Sequence, residues 1–340
     1  MATYVTSDAH GHLRALDRAL ELAQPGADDT VYVLGDMVDR GPAPVSVLEL
    51  VRSLGNARVL MGNHERMLLD TIDHGDAADE LTWHMNGGYV TAQQLDSLPR
   101  DEYRGLMDWI ANLPLFDVVE ADDLCASAKP GERRVHLLCH AGIDALALRG
   151  YLATAGYAGD AAVGGYDDVP FDTWRAAMAA QDPEDLLWIR SEFWGEPTGL
   201  VGSDGRGPVA VVGHTPSLLM GRYAGRMATL CMDGDDRALM VEVGACQDTG
   251  GVADRIDIDC SAAAGWPQGR VGIMRLEDRR VWLADIEEGE YFFLRACVNW
   301  GTSPIYTCSL DVTAGRRGSL RVRRCRGGCR CTRRRAARAG

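Results

Sequence analysis

Three charged side chains follow directly after a short apolar run near the start of the chain. The run Val31–Leu34 stops at Gly35, and Asp36, Asp39 and Arg40 come within the next five positions. Two carboxylates and a guanidinium this close together are costly to bury unless something strongly charged lies between them. A metal centre that meets a phosphate would satisfy all three, so this stretch predicts chemistry on phosphate.

Other predicted strands also end in side chains that can bind metal ions. The set contains carboxylate, amide and imidazole donors without a thiolate, a combination that suits Mn, Fe or Zn. Asp36 could bridge two ions through its two oxygens, with Asp8 and His10 on the first ion and the remaining residues on the second. The full set is Asp8, His10, Asp36, Asn63, His140 and His214.

Two metal ions about 3.5–4 Å apart form a recurrent hydrolytic device, because they generate hydroxide near neutral pH and hold the oxygens of an in-line displacement at phosphorus. The leaving group also needs an acid. His64 is the candidate, and Asp39 could orient its ring and stabilise its charged form. Arg40 and Arg190 are expected to bind the phosphoryl oxygens as planar bidentate donors.

Each of these residues also has an ordinary structural interpretation. A single histidine such as His140 or His214 at the end of an apolar run is more often a hydrogen-bonded residue than a metal ligand. Asp8, Asp36 and Asp39 could cap helices or form turns. Five separate strand ends each carry a histidine or an oxygen donor, however, and this joint placement favours one shared site.

The residue pattern also predicts the strands and helices that must position the site. The candidate residues follow the carboxyl ends of strands, where open α/β sheets bind their ligands. The predicted strands are residues 3–7, Val31–Leu34, Ala57–Met61, Val135–Cys139 and Val209–Val212, followed by Ala238–Val243, Arg255–Asp259, Gly272–Leu276 and Arg280–Ala284 as short strands of a second sheet. The predicted helices are Leu13–Ala23, Val45–Leu54, one that starts near Met67, and Phe171–Ala180, with Asp70–Phe116 mostly helical and Gly150–Pro170 a loop or insertion.

Charge and hydropathy argue against membrane proteins and general nucleic-acid-binding proteins. No apolar run reaches the roughly 18–20 residues that a membrane span needs, and the N-terminus lacks a signal-peptide pattern. The net charge is −14, but twelve of the 35 basic residues and one of the 49 acidic residues lie from Arg295 onward, which leaves residues 1–294 at −25. An acidic body disfavours nucleic acid, whereas the basic tail could bind an acidic partner.

The cysteines predict a reducing compartment. Six of the ten are scattered singly through apolar sequence, namely Cys125, Cys139, Cys231, Cys246, Cys260 and Cys297. Cys325, Cys329 and Cys331 cluster in the tail, but their C-x3-C-x-C spacing has no second CxxC and no nearby histidine, so it is a weak metal motif. We therefore expect free thiols and a cytoplasmic protein.

Five motifs occur in order along the chain: Asp8-Ala9-His10-Gly11, Gly35-Asp36-Met37-Val38-Asp39-Arg40-Gly41, Gly62-Asn63-His64-Glu65, His140-Ala141-Gly142 and Gly213-His214-Thr215-Pro216. Together they resemble the motifs of the calcineurin-like metallophosphoesterases, and the D-R-G ending of the second points to the phosphoprotein phosphatase branch. The bacterial and phage-type serine/threonine protein phosphatases of that branch are also similar in W-x-x-N-G-G, here Trp83–Gly88, and in L-W-x-R, here Leu187–Arg190.

The resemblance implies an α/β fold, a four-layer α/β/β/α sandwich with two mixed β-sheets, together with a dinuclear centre often loaded with manganese and hydrolysis of phosphomonoesters. It implies Asp8, His10 and Asp36 on one ion and Asp36, Asn63, His140 and His214 on the other. It gives proton donation to His64 with Asp39, and phosphate binding to Arg40 with Arg190. One departure is Asp257–Ser261, where the family usually shows an I-D-T-G-like strand end.

We therefore expect a metal-dependent phosphatase that acts on phosphoserine or phosphothreonine in proteins. The alternative enzyme is a symmetrical hydrolase of diadenosine tetraphosphate, and the alternative class is a non-catalytic phosphoprotein-binding or RNA-binding module. The resemblance covers about residues 1–285, the predicted catalytic domain. Residues 286–314 are an extension of uncertain structure, and residues 315–340 are expected to be a disordered Arg- and Cys-rich tail.

Overall fold

A computed structural model describes residues 1–125, 131–157, 166 and 168–290. Its strands are β1 (Thr3–Thr6), β2 (Thr30–Val33), β3 (Ala57–Val59), β4 (Phe116–Asp122), β5 (Arg133–Cys139), β6 (Val209–Val212), β7 (Val241–Val243), β8 (Arg255–Asp257), β9 (Arg270–Arg275) and β10 (Arg280–Asp285). Its α-helices are α1 (Leu13–Ala23), α2 (Pro44–Ser53), α3 (Asn63–His74), α4 (Ala77–Met85), α5 (Tyr89–Leu95), α6 (Arg100–Ala111), α7 (Ala145–Thr154), α8 (Phe171–Ala179), α9 (Pro183–Trp188), α10 (Ser191–Gly195) and α11 (Met220–Tyr223).

The strands form two mixed five-stranded sheets. The first sheet has the order β10-β9-β1-β2-β3, in which β1, β2 and β3 are parallel. Strand β9 pairs antiparallel with β1, and the edge strand β10 pairs antiparallel with β9. In the second, of order β4-β5-β6-β8-β7, the strands β5, β6 and β8 are parallel and are flanked by antiparallel β4 and β7. The carboxyl ends of the parallel strands carry the residues that the sequence singles out.

Three apolar cores define four layers. One core lies between the sheets, where Leu34 and Leu60 from the first sheet belong to the same cluster as Leu138 and Val211 from the second. A second core packs helices such as α1 and α2 on the outer face of the first sheet, and a third packs helices such as α7 and α8 on the outer face of the second. The predicted α/β/β/α sandwich with two mixed sheets is therefore confirmed.

The spacing of apolar residues correctly predicts the helices in which that spacing is regular. Helix α1 spans Leu13–Ala23 as predicted, because its buried residues Ala15, Leu16, Ala19 and Ala23 recur on one face. It ends at Gln24, which adopts the left-handed conformation typical of a helix C-terminus. Helix α2 has Pro44 at its first position, where proline's missing N–H costs nothing.

The structure corrects the predicted start of α3. The helix begins at Asn63 rather than near Met67, so Asn63 and His64 lie in its first turn. Gly62 is the N-cap, and the Glu65 carboxylate accepts a hydrogen bond from the Gly62 N–H at 3.0 Å. This bond between Glu65 and the N-cap, one half of a capping box, starts the helix before its apolar face begins.

Three further corrections concern elements whose identity depends on their neighbours. Strand β4 was not predicted, and it pairs antiparallel with β5 along its whole length. The predicted loop Gly150–Pro170 overlaps α7, which continues to Thr154, while residues 158–165 and 167 lie outside the described residues. Strands β9 and β10 belong to the first sheet rather than the second, because β9 pairs with β1.

The predicted domain boundary at residue 285 stays a prediction. Ile286 is buried in the core of the first sheet and its helices. Most of the predicted extension and all of the predicted tail lie outside the described residues. None of the helices in the described ranges combines the length with the apolar surface that a bilayer crossing would require.

Candidate metal centre

Two turns that follow neighbouring parallel strands build the first part of the centre. Strands β1 and β2 pair in register, with Thr6 opposite Val33. The turns that follow are joined by backbone hydrogen bonds, from Asp8 N–H to the Gly35 carbonyl at 3.1 Å and from His10 N–H to the Asp36 carbonyl at 2.9 Å. Pairing of the strands thus places the side chains of both turns at one edge of the sheet.

The backbone at this edge is strained. Ten non-glycine residues in the described part of the chain have a positive φ, and six of them are residues that the sequence singles out for the site. Such conformations are sparsely populated and concentrate where a fold holds functional groups in place. The six are Asp8, His10, Asp36, Asp39, Arg40 and His214.

The first donor group consists of His10, Asp36 and His64, whose candidate ligand atoms all lie within 4.8 Å of one another. His10 Nε2 is 3.5 Å and His64 Nε2 is 3.8 Å from Asp36 Oδ2. The Asp8 carboxylate borders this group, with its Oδ1 at 3.9 Å from His10 Nε2. The structure therefore adds His64 to a neighbourhood for which the sequence predicted Asp8, His10 and Asp36.

The second donor group consists of Asp36, His140 and His214, again within 4.8 Å. His140 Nε2 lies 3.3 Å from Asp36 Oδ1, the carboxylate oxygen not used by the first group. Asn63 Oδ1 lies 2.8 Å from His140 Nε2 and 3.0 Å from His214 Nδ1. Asp36 thus turns one oxygen to each group, which is the geometry that a bridging carboxylate needs.

His64 and Asp39 form a buried pair beside the first group. His64 Nδ1 is 2.6 Å from Asp39 Oδ2, and neither side chain is more than 1% exposed. The Trp83 indole N–H donates to the same carboxylate at 2.9 Å, and the Thr91 hydroxyl donates to Asp39 Oδ1 at 2.6 Å. Asp39 is therefore fixed on all sides, and it orients the imidazole so that Nε2 faces the centre.

The two predicted phosphate-binding arginines lie at different sides of the centre. Arg40 donates from Nη2 to His64 Nε2 at 2.8 Å, and its Nη1 is 3.3 Å from His10 Nε2. Arg190 donates from Nη2 to the His214 carbonyl at 3.3 Å. Trp188, two residues earlier, packs edge-on against the His214 ring at 6.0 Å. Both arginines are partly exposed, so both can meet a ligand from solvent.

The charges in the centre favour neutral imidazoles at His10 and His214 and an ionised Asp36, whereas His140 favours its protonated form. Burial, followed by the charge of Arg40, holds the pKa of His10 well below its usual range, and burial followed by His140 does the same to the pKa of His214. Burial opposes ionisation of Asp36, but His140 and His64 hold the pKa of this carboxyl well below its usual value. Burial opposes the charged form of His140 as well, yet Asp36 raises its pKa to about 9.

An orphaned polar atom shows that the donor set fits metal ions. Asp8 Oδ1, which lies 3.9 Å from His10 Nε2, is buried without a hydrogen-bond partner, and this is costly for a polar group that nothing else satisfies. Position 213 requires glycine, because a Cβ there would lie 2.0 Å from Asp8 Oδ2 and clash with the carboxylate. Buried oxygen and imidazole donors around a shared carboxylate match the ligand chemistry of Mn, Fe or Zn.

Sequence reasoning gave no role to three residues that hold the centre in place. The Glu65 carboxylate accepts hydrogen bonds from the backbone N–H groups of Asp36 and Met37, both at 2.8 Å. Trp83 and Thr91 hold Asp39. A signal for Glu65 was present, because a glutamate three residues after a helix N-cap commonly bonds back to it. Nothing local links Thr91 to Asp39, since they are 52 positions apart.

The Asp257–Ser261 stretch, where the sequence departs from the usual motif, is buried next to the centre. Burial, followed by the charge of Asp8, raises the pKa of Asp259 well above its usual value. Asp259 Oδ1 accepts a hydrogen bond from the Ser261 N–H at 2.8 Å, and its carbonyl accepts one from the Ser217 N–H at 3.0 Å. The stretch thus supports the segment that follows His214.

Comparison with known proteins connects this geometry to a family. The family model described as calcineurin-like phosphoesterase matches residues 1–239. A symmetrical bis(5'-nucleosyl)-tetraphosphatase from Marinomonas sp. (strain MWYL1) is 36% identical over 118 residues, which are 34% of this chain and 39% of that protein. The chain spans about two fifths of the length of the curated relatives that it matches.

Two solved structures are similar over most of their length. A metallophosphoesterase from Sphaerobacter thermophilus has a TM-score of 0.41 and 15% identity, with 84% of this chain and 88% of that chain covered. A protein serine/threonine phosphatase from Saccharomyces cerevisiae has a TM-score of 0.42 and 14% identity, with 85% and 81% covered. Both TM-scores lie below 0.5, so neither likeness bears on function.

Proposed function

The chain belongs to the calcineurin-like phosphoesterase family, whose members are metal-dependent phosphoester hydrolases, and on this premise we propose that it dephosphorylates serine and threonine residues of proteins. The observation that carries the proposal is the buried hydrogen bond of 2.6 Å between His64 and Asp39. It supplies an oriented proton donor beside two groups of potential metal ligands.

We assign Asp8, His10 and Asp36 to one metal ion, and Asp36, Asn63, His140 and His214 to the other. When bound, such a pair of ions lowers the pKa of water and neutralises charge on the phosphoryl oxygens. Manganese is our proposal for the metal, since the donors are oxygen and imidazole without thiolate. The orphaned atom Asp8 Oδ1 supports this assignment, because metal binding would satisfy it.

The nature of the leaving group favours a phosphorylated alcohol as substrate. Hydrolysis replaces the ester P–O bond with a bond from phosphorus to the oxygen of water, and the departing serine or threonine oxygen must gain a proton. An alkoxide is far more basic than a departing nucleoside diphosphate, so a positioned donor accelerates release of an alcohol most. His64 Nε2 faces the centre and would deliver that proton, with Asp39 orienting the ring through Nδ1.

Arg40 and Arg190 would bind the phosphoryl oxygens. Their guanidinium groups lie next to different donor groups, Arg40 against His10 and His64, and Arg190 against the His214 carbonyl. A planar guanidinium can give two parallel hydrogen bonds to a phosphoryl group, which fixes the orientation of the phosphorus for in-line attack.

A second candidate is symmetrical hydrolysis of a dinucleoside tetraphosphate. The observation in its favour is the 36% identity, over about a third of this chain, with a protein named for that activity. The same centre would serve both reactions, so only the substrate separates them.

A substrate panel tests the proposal. Protein supplied with Mn²⁺ is assayed with phosphoserine and phosphothreonine peptides and with diadenosine tetraphosphate, and kcat/KM is compared. We expect the better peptide to exceed the tetraphosphate by about tenfold or more, equivalent to about 1.4 kcal/mol. A tetraphosphate preference of that size would replace the proposal with the second candidate.

We also propose a cytoplasmic location. The cysteines that the structure describes are free thiols, namely Cys125, Cys139, Cys231, Cys246 and Cys260, as a reducing compartment would keep them. Fractionation of the native cells with an antibody to this chain tests the location, and recovery in the membrane or external fraction would contradict it.

A further inference from the structure

An apolar edge borders the centre on the side of Arg40. Leu81 and Met85 are four residues apart on α4, so they share one helix face, and they are 60% and 80% exposed. Tyr89, four residues further on at the start of α5, is 42% exposed. We call these three side chains the α4 edge. Large apolar side chains gathered at a surface mark interaction sites more often than chance exposure does.

Hydrogen bonds connect the α4 edge to the candidate site. The Asn86 carbonyl, directly after Met85, accepts from Arg40 Nε at 3.3 Å, and the Gly87 carbonyl accepts from Arg40 N–H at 3.2 Å. On the inner face of α4, Trp83 donates to the Asp39 carboxylate. A phosphate held by Arg40 would therefore bring the groups next to it against the α4 edge.

The sequence around the α4 edge is acidic, which favours basic ligands over polyphosphates. Residues 67–99 contain six acidic residues and no Lys or Arg. Four of the six are exposed, namely Asp73, Asp76, Glu80 and Asp96. This surface repels a polyphosphate chain and attracts Lys and Arg side chains. An apolar strip beside acidic residues is complementary to a polypeptide that carries apolar and basic residues.

We propose that the α4 edge binds the substrate polypeptide next to its phosphorylated residue. An apolar side chain of the substrate packs against Leu81, Met85 and Tyr89, and a basic side chain lies near Asp73 and Glu80. This inference rests on the proposed function and adds the sequence preference of the substrate. The contacts lie outside the centre, so they act on peptide affinity and leave the chemical step unchanged.

The test compares two variants on three substrates. The double variant Leu81→Gln, Met85→Gln replaces two apolar side chains of the α4 edge by glutamine, whose helix propensity is similar to that of Leu and Met. Leu124→Gln is the matched control, because Leu124 is 67% exposed and follows β4 at the end of the sheet opposite His140. The substrates are p-nitrophenyl phosphate and two phosphothreonine peptides, one with Leu and Arg neighbours and one with Gly and Glu neighbours.

We expect wild type to favour the Leu and Arg peptide, and the double variant to lose about tenfold in kcat/KM on it, mainly through KM, since about 1.4 kcal/mol of apolar burial is lost. Turnover of p-nitrophenyl phosphate stays unchanged in both variants. Peptide turnover at full rate in the double variant, an equal loss in Leu124→Gln, or a parallel loss on p-nitrophenyl phosphate overturns the docking proposal alone. Wild type that cleaves p-nitrophenyl phosphate but neither peptide overturns the proposed function itself.

Discussion

The two donor groups of the centre share Asp36, but their other residues come from different parts of the chain. The first group, His10, Asp36 and His64, comes from the first 64 residues, on turns that follow strands of one parallel ladder. The second group takes His140 and His214 from turns after β5 and β6 of the other sheet. One half of the centre therefore follows from local strand pairing, and the other half requires the two sheets to pack.

The halves also differ in what surrounds their imidazoles. In the first, Nε2 of His10 and of His64 faces the Arg40 guanidinium. In the second, His140 Nε2 faces the oxygens of Asn63 and Asp36. Burial opposes the charged form of both His140 and His10, but the Asp36 carboxylate raises the pKa of His140 to about 9, whereas the charge of Arg40 lowers the pKa of His10 further.

The largest effect should come from the residue common to both halves. Asp36→Asn removes the charge that both groups share, so both ions are expected to be lost, with activity falling by about 10³-fold or more, as for groups that act as a unit. Metal content by mass spectrometry and p-nitrophenyl phosphate turnover measure this. Asp17→Asn, on the exposed face of α1, is the control. Retention of two ions would break the proposed bridge.

His64 tests whether the first half contains a ligand or a proton donor. His64→Asn should lower kcat by about 10²–10⁴-fold, the range for loss of a general acid, while both ions remain bound. The drop should be smaller on p-nitrophenyl phosphate than on a phosphothreonine peptide, because nitrophenolate leaves without a proton. Loss of one ion in this variant would instead make His64 a ligand, which its place in the first donor group allows.

Glu65 tests how far both halves depend on the turn that carries Asp36. In Glu65→Gln an amide N–H₂ replaces one of two oxygens that accept backbone N–H groups. We expect metal affinity to fall about 10–100-fold, as for loss of a residue that orients ligands, and the free energy of unfolding to fall by about 1–3 kcal/mol.

The conservative exposed change Glu21→Gln should leave both quantities unchanged, since Glu21 lies at the surface, where it pairs with Arg18. Metal titration and urea unfolding provide the two measurements. If Glu65→Gln lost stability but bound both ions with wild-type affinity, Glu65 would support the fold without positioning Asp36.

The last prediction concerns stability alone, through a buried histidine outside the centre. Burial, with the charges of Arg279 and Arg134, lowers the pKa of His136 from 6.5 to about 3. The unfolded chain takes up a proton below pH 6.5 and the folded chain does not, so this contribution to stability is present above pH 6.5 and is lost as the pH falls toward 3. His136→Phe should therefore lose less stability than wild type between pH 7 and pH 4.5, by about 2–3 kcal/mol, because each pH unit below the unfolded pKa of 6.5 costs about 1.4 kcal/mol.

Urea unfolding at both pH values measures the difference. His74 is the contrasting residue, because its hydrogen bond with Asp79 raises its pKa, and its contribution is lost as the pH rises. His74→Gln should leave the acid loss of wild type in place. An equal acid loss in wild type and His136→Phe would show that His136 is not neutral in the folded protein.

Prediction from sequence succeeded where the pattern is local. The bounds of α1 and β6 are as predicted. The six residues predicted to bind metal are buried close to one another, and their role as ligands stays a prediction. It failed where an element depends on a distant partner. Strand β4 needs β5 to complete it, and β9 joins the first sheet because it pairs with β1.

The sequence by itself determined which side chains stand at the strand ends and hence the metal and phosphate chemistry, because residue type and spacing within a turn are local properties. Only the tertiary structure decided that Asp36 turns one oxygen to each group, that Glu65 anchors its turn, and that Trp83 and Thr91 hold Asp39. Those contacts cross between elements, and their geometry is set by how helices and sheets pack rather than by the periodicity of any one segment.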